Sequence, residues 1–162
     1  MGRAELHAQR AVEFTQAALR VPGTSAQVRA RCALRAANSH ALAGDEPACR
    51  RRLDDAYGLA EPPGAPGAVT RAAVRATEAR SWLWIQPRNA ILLYEDALRE
   101  WPRDQVRDGG LQQARLALAC AGAGELDRAK AEGRKALTIA KQTKSATATR
   151  ELRRLGAALS AA

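Results

Sequence analysis

The chain has 162 residues, enough for one domain with a sizeable core, but its 46% hydrophobic content includes 38 alanines and only 4% of residues are aromatic. The net charge of +9 comes from 22 Arg and 4 Lys scattered along the chain, clustered only at Arg50-Arg51-Arg52 and at Arg150, Arg153 and Arg154. Without a contiguous basic stripe, direct nucleic-acid contact is not expected. No stretch has the length and apolarity of a membrane span, and the opening residues do not read as a signal peptide. Three cysteines (Cys32, Cys49 and Cys120) are odd in number and far apart, and Cys49 and Cys120 stand where the pattern has alanine, so they read as small core residues in a reducing cytosol. Neither these nor His7 and His40 have metal-ligand spacing, so no metal and no cofactor is expected.

Alanine, leucine, arginine and glutamate favour helix, and β-branched residues never alternate over the length of a strand. Residues 11–22 read as a helix that stops at Pro22-Gly23. Thr24, followed three positions later by Gln27, predicts a capping box for the next helix. That helix ends at Gly44-Asp45, and Pro47 belongs in the first turn of its successor, where a missing N–H costs nothing. Proline and glycine between positions 61 and 67 mark a longer break. A further helix carries the run Trp82-Leu83-Trp84-Ile85 and stops before Pro87, which opens another. Two Trp at i and i+2 face different sides of a helix, so one is expected in the core and the other at a groove or partner.

Trp101-Pro102 closes that helix, with Trp101 expected to plug a junction between hairpins. Gly109-Gly110 is read as a turn ahead of a helix that runs to Gly124-Glu125. After a break at Thr143-Lys144-Ser145, residues 145–160 form a last helix with Leu152, Leu155 and Leu159 on one face. The expectation is all-α: about eight helices joined by short turns as antiparallel hairpins, in one domain spanning 1–162.

The hairpins repeat. Residues 11–19 (AVEFTQAAL), 49–57 (CRRRLDDAY), 90–98 (AILLYEDAL) and 129–137 (AKAEGRKAL) align without gaps. Each begins with a small residue and carries another seven positions later: Ala18, Ala56, Ala97 and Ala136. Small side chains at that interval let a helix lie close against its neighbour. Two of the segments, at Cys49 and Ala129, follow a glycine-acid turn at matching distance. A unit that cannot bury its apolar face by itself points to stacking.

These residues resemble the tetratricopeptide repeat. Ala90, Tyr94, Ala97, Leu98 and Pro102 match the second helix of that motif, and the Gly44 and Gly124 turns match its entry. The anchors Ala11, Cys49, Ala90 and Ala129 are 38, 41 and 39 residues apart, an elongated version of the motif's roughly 34. The resemblance implies a right-handed solenoid with repeats to about residue 143 and a capping helix over 145–160. The C-terminal run from RLALACAGAGELDRAK onward is similar to the end of large actinobacterial helix-turn-helix transcription regulators. No residue of this chain matches their DNA-binding part.

Catalytic motifs are not found: no G-x-S-x-G, no H-E-x-x-H, no phosphate-cradling loop. Asp54 and Asp55 are adjacent on a helix and diverge, so they cannot act as a carboxylate pair. What the resemblance implies instead is a concave face built from the first helix of each hairpin, with inward positions at Arg31, Leu34, Asn38 and Leu42, at Arg75, Ala79 and Trp82, and at Leu111, Ala114 and Leu118. Of these, Arg31, Asn38, Arg75 and Trp82 are the candidate ligand-binding residues. An Asn amide both donates to and accepts from a peptide backbone, and Arg grips a carboxylate in bidentate fashion. The alternatives stay open: solvated arginines, and Trp82 in the core. The functional expectation is a non-enzymatic binding module for a protein, a peptide, a small-molecule effector or a second copy of itself. The resemblance makes it the sensor or interaction region of a transcription regulator. A free-standing adaptor or a basic nucleic-acid-binding repeat are the competing readings.

Overall fold

A computed structural model describes residues 10, 13, 15, 17, 20–62, 69–83 and 85–161. Among them the regular structure is helical: α1 (Ala26–Leu42), α2 (Glu46–Gly58), α3 (Arg71–Trp82), α4 (Pro87–Arg99), α5 (Val106–Gly122), α6 (Leu126–Thr143) and α7 (Ala146–Ser160). The expected helix over 11–19 falls largely outside the described residues, with Ala11, Phe14, Ala18 and Leu19, and so does Trp84. None of the described helices is long and apolar enough to cross a membrane.

The glycine-acid turns are superimposable in their hydrogen bonding. Gly44 and Gly124 have φ of 76° and 82°, a left-handed conformation that costs other residues a Cβ clash. Asp45 N–H donates to His40 O and Gly44 N–H to Ala41 O; eighty residues on, Glu125 N–H donates to Cys120 O and Gly124 N–H to Ala121 O. Both are Schellman closures, satisfying carbonyls that a helix end would leave orphaned. Asp45 then caps α2 by accepting from Ala48 N–H at 3.0 Å. Pro47 lies in the first turn of α2 and Pro87 opens α4, as the pattern predicts. The third such closure, at the end of α6, places Lys144 at φ 51° where glycine would be expected.

Two local readings need correction. The cap of α1 is Ser25, whose hydroxyl accepts from Val28 N–H at 3.3 Å. Thr24 instead donates to Val21 O, and Gln27 accepts from Val69 N–H in the linker ahead of α3, so no capping box forms. Gly109 and Gly110 lie inside α5 rather than ahead of it. The Trp101 indole sits over Gly109, and Ile139 of α6 occupies the space a side chain at Gly110 would need. Close packing from remote elements thus overrides the poor helix propensity of glycine.

The repeated small residues of the three described segments are internal. Cys49, Ala90 and Ala129 are fully buried, as are Ala56, Ala97 and Ala136. Between them, four positions after each anchor, stand Leu53, Tyr94 and Gly133, buried in every case. Each of α2, α4 and α6 therefore presents the same stripe at i, i+4 and i+7, the period of one helix face.

The chain divides into two compact units, Met1–Ser81 and Trp82–Ala162. In the first, α1 and α2 form a hairpin closed over Ala37, Cys49 and Leu53. A second cluster gathers Ala30 and Ala33 of α1, Ala56 of α2, Val69, and Val74 of α3. The linker is pinned where Glu61 N–H donates to Val69 O at 2.9 Å. In the second unit α5 is central, packed against α4, α6 and α7. Arg128 of α6 ties α4 to the α5–α6 turn through Glu95 and Glu125, and Gln113 of α5 donates to Glu132 of α6.

Candidate functional site

The four candidate residues occupy different environments. Arg31 is exposed on α1. Asn38, two turns further along the same face, is half-buried, and its Nδ2 donates to Leu34 O at 3.3 Å. One donor is thereby used and the side chain oriented; a carboxamide has a second donor and an acceptor still to offer. Trp82, the last residue of α3, is only 5% exposed, so its indole packs inside the protein. Of the other inward positions, Ala79, Ala114 and Leu118 are also buried, whereas Leu42 is 74% exposed.

Arg75 belongs to a polar cluster that joins α3 to α2. Tyr57 of α2 donates its hydroxyl to Glu78 Oε2 at 2.7 Å, while the Arg71 guanidinium lies 5.5 Å from the Tyr57 ring centroid. Burial, followed by the bond to Glu78, pushes the phenol well above its usual range; Arg75, also bonded to Tyr57, acts in the opposite direction. Tyr57 therefore remains a protonated donor. This set is not legible in the sequence, because helix packing brings Tyr57 and Glu78 together across 21 residues. Arg75 thus works on a partner within its own unit, holding α3 to the hairpin.

Burial raises the thiol of Cys49, and that of Cys120 to about 11, so neither is a thiolate near neutrality. No three His, Cys, Asp or Glu among the described residues stand close enough to share a metal ion.

The first unit holds a cleft of about 630 Å³ with a largely polar lining that includes Arg29, Arg52, Asp54 and Asp55. A second cleft, smaller at about 440 Å³ and open to solvent, lies between α6 and α7. Its floor is apolar: Leu137, Leu152, Leu155 and Leu159, with Gly133 and Gly156 contributing no side chains. Leu155 is buried, Leu152 and Leu159 are half-buried, and Leu137 is 42% exposed. Lys130 and Arg134 edge it on the α6 side and Arg153 on the α7 side. The described ion pairs of these helices join Arg128 to Glu95 and Glu125, Lys130 to Asp127, Lys135 to Glu132 and Arg154 to Glu151. None of them involves Arg134 or Arg153. The leucines of α7 were visible in the sequence as one face; that α6 leaves two of them half-covered was not. No family model, curated protein or solved structure matches this chain.

Proposed function

We propose that the chain is a non-catalytic, tetratricopeptide-like binding module that holds a protein or peptide. The observation that carries the reading is the repeated stripe Cys49-Leu53-Ala56, Ala90-Tyr94-Ala97 and Ala129-Gly133-Ala136, buried at every position. Three helices that present one buried stripe at near-equal spacing are the signature of a stacked repeat, and stacked repeats work by offering a continuous surface. The identically closed turns at Gly44 and Gly124 support it further. In this reading the first helix of each hairpin faces the ligand, with Arg31 and Asn38 of α1 making polar contacts. Arg75 holds α3 through Tyr57, and Trp82, being buried, makes no ligand contact. A role as the sensor or interaction region of a transcription regulator follows from the resemblance of the C-terminal run, with ligand binding shifting small rotations between hairpins.

The test is a thermal-shift survey of the whole chain against peptides and metabolites. A ligand that raises Tm, loses that effect with Asn38→Ala, and leaves the unliganded Tm of the variant unchanged is the expected result. Turnover of any ligand, or no stabilisation by any class, overturns the reading.

A further inference from the structure

We propose that the cleft between α6 and α7 is a docking groove for an acidic amphipathic helix of a partner protein. The inference goes beyond the face that carries Arg31 and Asn38 and assigns a separate surface, while resting on the reading of the chain as a binding module. The shape argues first. A cleft of about 440 Å³ that lies open to solvent covers one side of an occupant rather than enclosing it. It is also elongated: its lining spans residues 130–137 of α6 and 149–159 of α7, or roughly 10 to 15 Å at 1.5 Å per residue. That is two to three turns of a helix, with the i, i+3/i+4, i+7 anchors by which a helix seats itself in a groove.

The floor fits such a ridge. Leu152 and Leu159 of α7 and Leu137 of α6 are partly exposed along it, with Leu155 buried among them. Gly156 opens the wall of α7, where a Cβ would meet nothing within 4 Å. Charge then selects the occupant. Cations stand on both sides, Arg134 on α6 and Arg153 on α7, and neither has a carboxylate partner among the described residues. Lys130 has only an exposed contact of 3.8 Å to Asp127. A helix with Glu or Asp flanking its apolar stripe meets opposite charge on both edges. A second copy of this chain does not: a two-fold interface would set each basic rim against its own kind, in a protein that already carries +9.

The experiment measures binding of a fluorescent peptide of about 15 residues to the whole chain by anisotropy. One peptide carries Leu at i, i+3, i+7 and i+11 with Glu on both flanks; a second has Lys for every Glu. The expected result is saturable binding of the Glu peptide only, weakening as salt rises. Arg134→Glu with Arg153→Glu should reduce affinity about tenfold or more. Gly156→Trp, which fills the groove from an exposed helical position, should abolish binding with helicity and Tm retained.

Equal binding of both peptides, or binding indifferent to these variants, overturns the proposal. So does a groove-dependent dimer, or adsorption to anionic vesicles without peptide binding. A library ligand whose thermal shift depends on Asn38, together with no binding of the Glu peptide, would overturn the groove alone and leave the binding-module reading standing.

Discussion

Leu155 of α7 occupies the place where Gly133 of α6 has no side chain: a Cβ at residue 133 would lie 2.6 Å from Leu155 Cδ2. In α2 and α4 the equivalent position holds Leu53 and Tyr94. The last of the three stripes therefore yields its volume to a side chain from outside. Gly133→Ala forces Leu155 Cδ2 to shift, and because that methyl ends a flexible side chain beside an open cleft, the net loss should be no more than about 1 kcal/mol after the gain in helix propensity. Gly156→Ala, with open space at its Cβ, should stabilise by roughly 0.5–1 kcal/mol. Urea midpoints of the two variants should move in opposite directions, and a shift of both the same way would contradict this packing.

Ala97 and Ala136 are fully buried at the recurring small-residue position. Ala97→Leu and Ala136→Leu should each cost about 1–3 kcal/mol, since neither site has room for three more carbons. Unchanged denaturation midpoints in both would mean that the stripe is not a close contact.

Tyr57→Phe removes the donor that Glu78 uses between α2 and α3. The expected loss is about 1 kcal/mol, with the ring and its contact to Arg71 retained. Glu78→Gln in the Tyr57→Phe background should cost much less than Glu78→Gln in the native chain, because the two side chains act as a pair. Additive losses in this double-mutant cycle would argue against the pair.

The Cys120 thiol, raised by burial from 9.0 to about 11, sets a pH signature. Below pH 9 it is protonated whether the chain is folded or not. Between pH 9 and 11 the unfolded chain releases the proton first, so unfolding is favoured and stability falls as pH rises. Cys120→Ala should flatten part of that decline, read as the difference in urea midpoint between the two ends of the window. An identical decline in the variant would show that Cys120 does not contribute.

Lys144 closes α6 in the left-handed conformation, at φ 51°. Lys144→Gly should raise stability by up to about 1 kcal/mol by relieving Cβ crowding. A lower Tm in the variant would indicate that the lysine side chain contributes more than the conformation costs.

The all-helical class, most helix ends, the glycine turns and the stripe of small residues could be read from the sequence, because each is a local property. Proline lacks an N–H, glycine reaches positive φ, and an i, i+7 interval returns to one face whatever surrounds it. The burial of Cys49 and Cys120 was legible for the same reason: both stand in register with alanines. Tertiary structure decided what local chemistry leaves open. Gly109 and Gly110 look like a turn until Trp101 and Ile139 need their space. Gln27 looks like a cap until Val69 N–H arrives from 42 residues away. Among the candidate ligand residues, the sequence placed Arg31 and Asn38 on one helix face, but only packing put Trp82 inside and set Arg75 beside Tyr57. The groove of α6 and α7 is of the same kind, since exposure depends on what a neighbouring helix leaves uncovered, and no periodicity within one helix encodes that.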